Sequence, residues 1–212
     1  MQQVYLWMTA GLLVTGAVST GLMGNAGVLA LLMNPIVFFG LFIVQLVIVV
    51  GLSAMVQKMS PMMAIMIFLG YAAINGAIFT PLFMVYTKES IASTFFTTAG
   101  TFAAMAIYGA TTKRDLTKMG SMLMMAFFGL LIATIVNIFL QNTVFNLVIS
   151  IAGVIIFVGL TAYDVQKLTR MSQQIQSEED SQRFAIIGAL TLYLDFINLF
   201  IYLLRLLGVR RD

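Results

Sequence analysis

Between Phe184 and Gly208 the chain reads FAIIGALTLYLDFINLFIYLLRLLG, an apolar run long enough to cross a bilayer, with the carboxylate of Asp195 near its middle. An ionised group at that depth costs about 3 kcal/mol or more unless it is paired or wetted. On a helix turning about 100° per residue, Gly188, Thr191, Asp195, Asn198, Tyr202 and Arg205 share an arc of roughly 100°, and the rest of the circumference is Leu, Ile and Phe. The polar arc must therefore look into protein or a water-filled cavity, and the apolar arc toward lipid or packed neighbours.

The rest of the chain has the same character. Of 212 residues, 61% are hydrophobic and 9% charged, and the mean hydropathy is +1.02. Repeated membrane spans have this composition and ordinary water-soluble domains do not. The expectation is an all-α integral membrane protein with seven spans in one domain, 1–212: about 4–23, 35–57, 61–86, 91–110, 121–140, 144–168 and 184–208. Asn34-Pro35 and Ser60-Pro61 read as caps with a first-turn proline, and Pro81 should kink the third span. Gln45, inside the second span, reads as an amide bonded to a neighbouring helix. TTKRDLTKMG, 111–120, reads as a solvated loop, and 169–183 as the longest polar link.

With neither Cys nor His in the sequence, disulfides, thiolate or imidazole catalysis and most transition-metal sites are excluded, and no cofactor is expected. The net charge of +3 is scattered between apolar runs, which fits loops and excludes a nucleic-acid-binding face. Assigned to alternate sides, one side holds Lys58, Lys113, Arg114, Lys118, Lys167, Arg170 and Arg183, and the other Lys88, Arg210 and Arg211. The richer side is expected in the cytoplasm, with the N-terminus inside and the C-terminus outside.

Six of the eight acids fall in links or the tail, leaving only Asp164 and Asp195 within apolar spans. These spans are consecutive and antiparallel, so the two carboxyls reach similar depth if the sixth helix continues about a turn past Asp164. Two carboxylates in one low-dielectric site do not both ionise cheaply, so they should share a proton and titrate as a coupled pair. With the proton gone, repulsion favours parting, and the freed oxygens suit a hard cation such as calcium, held transiently. Thr191, Asn198 and Tyr202 are the expected supporting partners. Lys58 and Arg205 are possible counter-ions, although Arg205 stands about 15 Å along the helix from Asp195 and suits the far interface better.

Thr161-Ala-Tyr-Asp-Val-Gln-Lys167 and Leu190-Thr-Leu-Tyr-Leu-Asp-Phe-Ile-Asn-Leu-Phe200 resemble the transmembrane Bax inhibitor motif family, as do 111–116 and Gly76 to Pro81. The similarity runs over essentially the whole chain and is greatest for the bacterial inner-membrane branch. It implies seven helices with the last surrounded by the other six, and a pH-sensitive calcium leak controlled by a pair of aspartates matching Asp164 and Asp195. It also implies a membrane protease as a possible partner, so a regulator without transport is the alternative. Some bacterial members carry an acid where this chain has Gln45. An intramembrane aspartyl protease fits less well: such enzymes place Gly-x-Gly before the second acid, where Leu192, Tyr193 and Leu194 stand here.

Overall fold

The computed structural model describes residues 1–175 and 177–211. Among these the chain forms nine α-helices: α1 Gln2–Leu22, α2 Ala26–Leu32, α3 Pro35–Met55, α4 Pro61–Phe79, α5 Leu82–Val85, α6 Lys88–Thr111, α7 Thr117–Leu140, α8 Thr143–Ser172 and α9 Glu178–Leu207. Seven stretches are long and apolar enough to cross a membrane, with α4 and α5 making one between them.

The end signals act as their chemistry requires. Asn34 Oδ1 accepts from Ile36 N at 2.9 Å and Ser60 Oγ from Met63 N at 3.3 Å, each just before a first-turn proline. Pro81 interrupts the third span: α4 stops at Phe79 and a short α5 follows. Asn25 caps the short α2 inside the link that follows the first span, an element not foreseen.

Three expectations need correction. The polar link 169–183 is mostly helix, because α8 runs on to Ser172 and α9 begins at Glu178. Glu178, Glu179 and Asp180 occupy the first turn of α9, where the helix dipole favours negative charge, and Ser177 Oγ accepts from Asp180 N at 3.0 Å. Likewise α7 starts at Thr117, which shortens the charged loop to five residues. Gln45 is buried, but its Nε2 has no hydrogen-bond partner among the described residues.

The chain divides into two compact units, 1–86 with 172–193 and 211–212, and 87–171 with 194–210. Helix α9 contributes its first half to one and its second half to the other, and 67% of its most apolar window is buried, against 6–33% for the other spans.

In the first unit α1 packs closely on α4 through small residues. A side chain at Gly76 would bring its Cβ to 2.6 Å from Thr15 O. Thr15 Oγ1 lies 2.7 Å from the hydroxyl of Tyr193, whose ring meets Phe68 and Tyr71 edge-on at 5.7 and 6.0 Å. Tyr193 is fully buried, and Asn75, also buried, donates from Nδ2 to Tyr71 O at 3.5 Å. Arg183 ties the start of α9 to the turn before α4, donating from Nε to Met59 O at 2.9 Å and pairing with Glu179 at 2.6 Å.

Gly76→Ala should destabilise the protein by about 1–3 kcal/mol, since backbone on α1 must give way. Gly70→Ala, on the same helix with open space at its Cβ, should be neutral or stabilising by about 0.5–1 kcal/mol. Thermal melting of both variants in detergent measures the contrast.

Candidate functional site: a buried aspartate pair

In the second unit, α8 and the latter half of α9 pack antiparallel around Leu130, Ile149, Ile156, Phe157, Leu160, Leu199, Tyr202 and Leu203. The Phe157 and Tyr202 rings stack at 5.8 Å with 25° between their planes. A glycine at 153 makes room for this, because a Cβ there would run into the Tyr202 ring. Antiparallel helices that touch at one level touch again two turns away on the same faces. Seven residues on from Phe157 is Asp164, and seven residues back from Tyr202 is Asp195.

The two carboxyls do meet there, within hydrogen-bonding reach of each other. Asp164 is 8% exposed and Asp195 5%. A hydrogen bond across that contact needs a donor, and therefore a proton on one of the two carboxyls. Asp195 Oδ2 is buried with no hydrogen-bond partner among the described residues, which leaves an acceptor pointing into protein and unused. Helix α8 continues two turns past Asp164, which brings both acids to the common depth that the sequence required.

The supporting residues do not converge on the pair. Thr191 Oγ1 donates to Ile187 O at 3.0 Å and Asn198 Nδ2 to Leu194 O at 2.8 Å, each to its own helix one turn back. A polar side chain on a helix always has that carbonyl within reach, so a shared arc does not make a shared site. Tyr202 instead stacks on Phe157. Arg205 is exposed and lies over the Tyr202 ring, 5.5 Å from its centre. Lys58 is exposed in the turn 56–58 and makes no ion pair among the described residues. Neither makes an ion pair with Asp164 or Asp195 among the described residues.

The cation that does act on the pair is Lys167, one turn beyond Asp164, which lies close enough to attract its carboxylate and sits 6.0 Å from the centre of the Tyr163 ring. Its spacing of three from Asp164 was the available signal. Gln166 was also overlooked. It is buried, its Oε1 accepts from Leu116 N at 2.9 Å, and its Nε2 donates to Arg114 O at 2.8 Å, so it holds the 112–116 loop against the end of α8.

Arg170 adds a 2.8 Å ion pair to Asp115 on that loop. Hydrogen bonds from Arg170 and from Thr117 hold the Asp115 carboxyl below its ordinary value of 3.8. A lowered value means that this contribution is present above the ordinary range and lost as pH falls through the folded-state value. The loop tie is therefore unaffected near neutrality, where any response must come from elsewhere. Gln166→Leu should cost about 2 kcal/mol by leaving a buried donor and acceptor unpaired, and should hasten tryptic cleavage at Lys113 and Arg114. Limited proteolysis of the reconstituted protein reads this directly.

Comparison with known proteins agrees with this architecture. Residues 1–212 match the family described as inhibitor of apoptosis-promoting Bax1. The chain is 50% identical to the inner membrane protein YbhL of Escherichia coli (strain K12), over all of this chain and 92% of that protein. It is 43% identical to a protein of Borreliella burgdorferi, over all of this chain and 92% of the other. Against YrjE of Lactococcus lactis the identity is 41%, over 98% of this chain and 89% of that one. Matched over its full length, this seven-span chain with two buried, neighbouring aspartates belongs to the Bax inhibitor-1 family.

Proposed function

We propose that the protein is a pH-sensitive calcium leak pathway of a bacterial inner membrane, opened and closed by the Asp164–Asp195 pair. The observation that carries this reading is the contact between the two buried carboxyls, with one oxygen of Asp195 left unpartnered. With a shared proton the pair bridges α8 and α9. Without it, two like charges in a low-dielectric site repel, and their oxygens become ligands for a hard cation. Two carboxylates alone form an incomplete calcium shell, which suits an ion in passage rather than a resident one. The inner-membrane location follows the name of the Escherichia coli relative. The bias of Lys and Arg supports a cytoplasmic N-terminus and 112–116 loop and an outer C-terminus. The pair acts on an ion and not on a peptide bond, consistent with bulky Leu192 and Leu194 flanking Tyr193 where an aspartyl protease needs glycine.

Purified protein in liposomes with a trapped calcium dye tests this. Calcium influx should change with pH through one coupled transition, no steeper than about tenfold per pH unit for a single proton. Asp164→Asn and Asp195→Asn should each abolish that dependence. Influx no greater than in empty liposomes, or an unaltered pH profile in both variants, would contradict the proposal.

A further inference from the structure

Helix α6 carries Ser90, Thr94 and Thr98 one turn apart on a single face, all buried at 6%, 1% and 0% exposure. The ends of this face are fixed by contacts. At one end Ser90 Oγ accepts from Val209 N at 2.8 Å. At the other, Phe102 meets Phe196 edge-on at 5.6 Å. The face between them therefore runs along α9, antiparallel to it, from beside Asp195 to the chain that follows its last turn. The three hydroxyls span about 12 Å of that distance.

Thr94 is the exception among the threonines of this helix. Thr97, Thr98 and Thr101 donate to the carbonyls of Ser93, Thr94 and Thr97, at 2.8 to 2.9 Å. Thr94 Oγ1 makes no such bond and has no partner among the described residues. A buried hydroxyl that forgoes the carbonyl always available to it is a cost that valine, of the same shape, would avoid. The other end of the row, at Phe102, meets Phe196, the residue next to Asp195. Phe95, next to Thr94 in sequence, packs on Phe196 and Phe200 at 5.4 and 6.3 Å, and the row itself is buried in this conformation.

We infer that Ser90, Thr94 and Thr98 form the polar route by which a partly dehydrated hard cation leaves the aspartate pair toward the α9 C-terminal end, with Thr94 supplying a free hydroxyl oxygen to the passing ion or its water. This rests on the leak reading and adds its path. The row does not titrate, so it sets the rate of passage and not its pH dependence.

Thr94→Val keeps the shape and removes the oxygen. In the same liposome assay it should lower calcium influx about fivefold, the factor that loss of one hydrogen bond sets, with the pH profile unchanged. Its melting temperature should equal or exceed that of wild type. Thr94→Ser, which keeps the oxygen, should pass calcium at close to the wild-type rate. A valine variant as fast as wild type, or a serine variant as slow as the valine one, would overturn the route and leave the gate standing. A wild-type protein that passes no calcium would overturn the leak reading and the route with it.

Discussion

A hydrogen bond between two carboxyls cannot form unless one of them is protonated, and in this protein the two carboxyls that meet are buried between α8 and α9. The packing two turns away fixes them there. The Phe157–Tyr202 stack and the leucines at 160 and 199 set the register of the two helices, and the same register brings Asp164 opposite Asp195. A chain needing only interhelical adhesion could fill these positions with leucine and lose nothing, because burying an acid pair is seldom more stabilising than well-packed apolar groups. On the proposed leak reading, the pair is kept for a state in which the two carboxyls part.

Helix α9 has a different attachment in each of its halves. In the first unit, Tyr193 is locked by Thr15 and two aromatic edges. In the second, Asp195 meets only the Asp164 carboxyl, and its Oδ2 receives no hydrogen bond among the described residues. Tyr193 and Asp195 are two apart, on opposite sides of the helix. A well-satisfied anchor beside a poorly satisfied acid concentrates any protonation-dependent change at Asp195 and at α8. The loop tied down by Gln166 and Arg170 steadies the far end of α8, and its ion pair does not titrate near neutrality.

Much of this was legible before any coordinates. Apolar run length placed the seven spans, Asn34-Pro35 and Ser60-Pro61 marked their starts, Pro81 marked the break, and the acid pair emerged because every other carboxylate falls in a link or the tail. What could not be read was the direction in which polar side chains spend their hydrogen bonds. Thr191 and Asn198 share an arc with Asp195 yet bond to their own helix, and Thr94 looks like its neighbours in sequence while its hydroxyl is free. The extent of α8 and α9 past the apolar runs was also hidden, because hydropathy ends where lipid ends but a capped, charge-matched helix does not.

The central claim is that Asp164 and Asp195 hold one proton between them, and infrared difference spectroscopy of the reconstituted protein tests it most directly. At about pH 6, where exposed carboxyl groups have lost their protons, the account predicts a carbonyl stretch from one protonated carboxyl that vanishes in both Asp164→Asn and Asp195→Asn. A spectrum without that band, or a band that survives both substitutions, would contradict it.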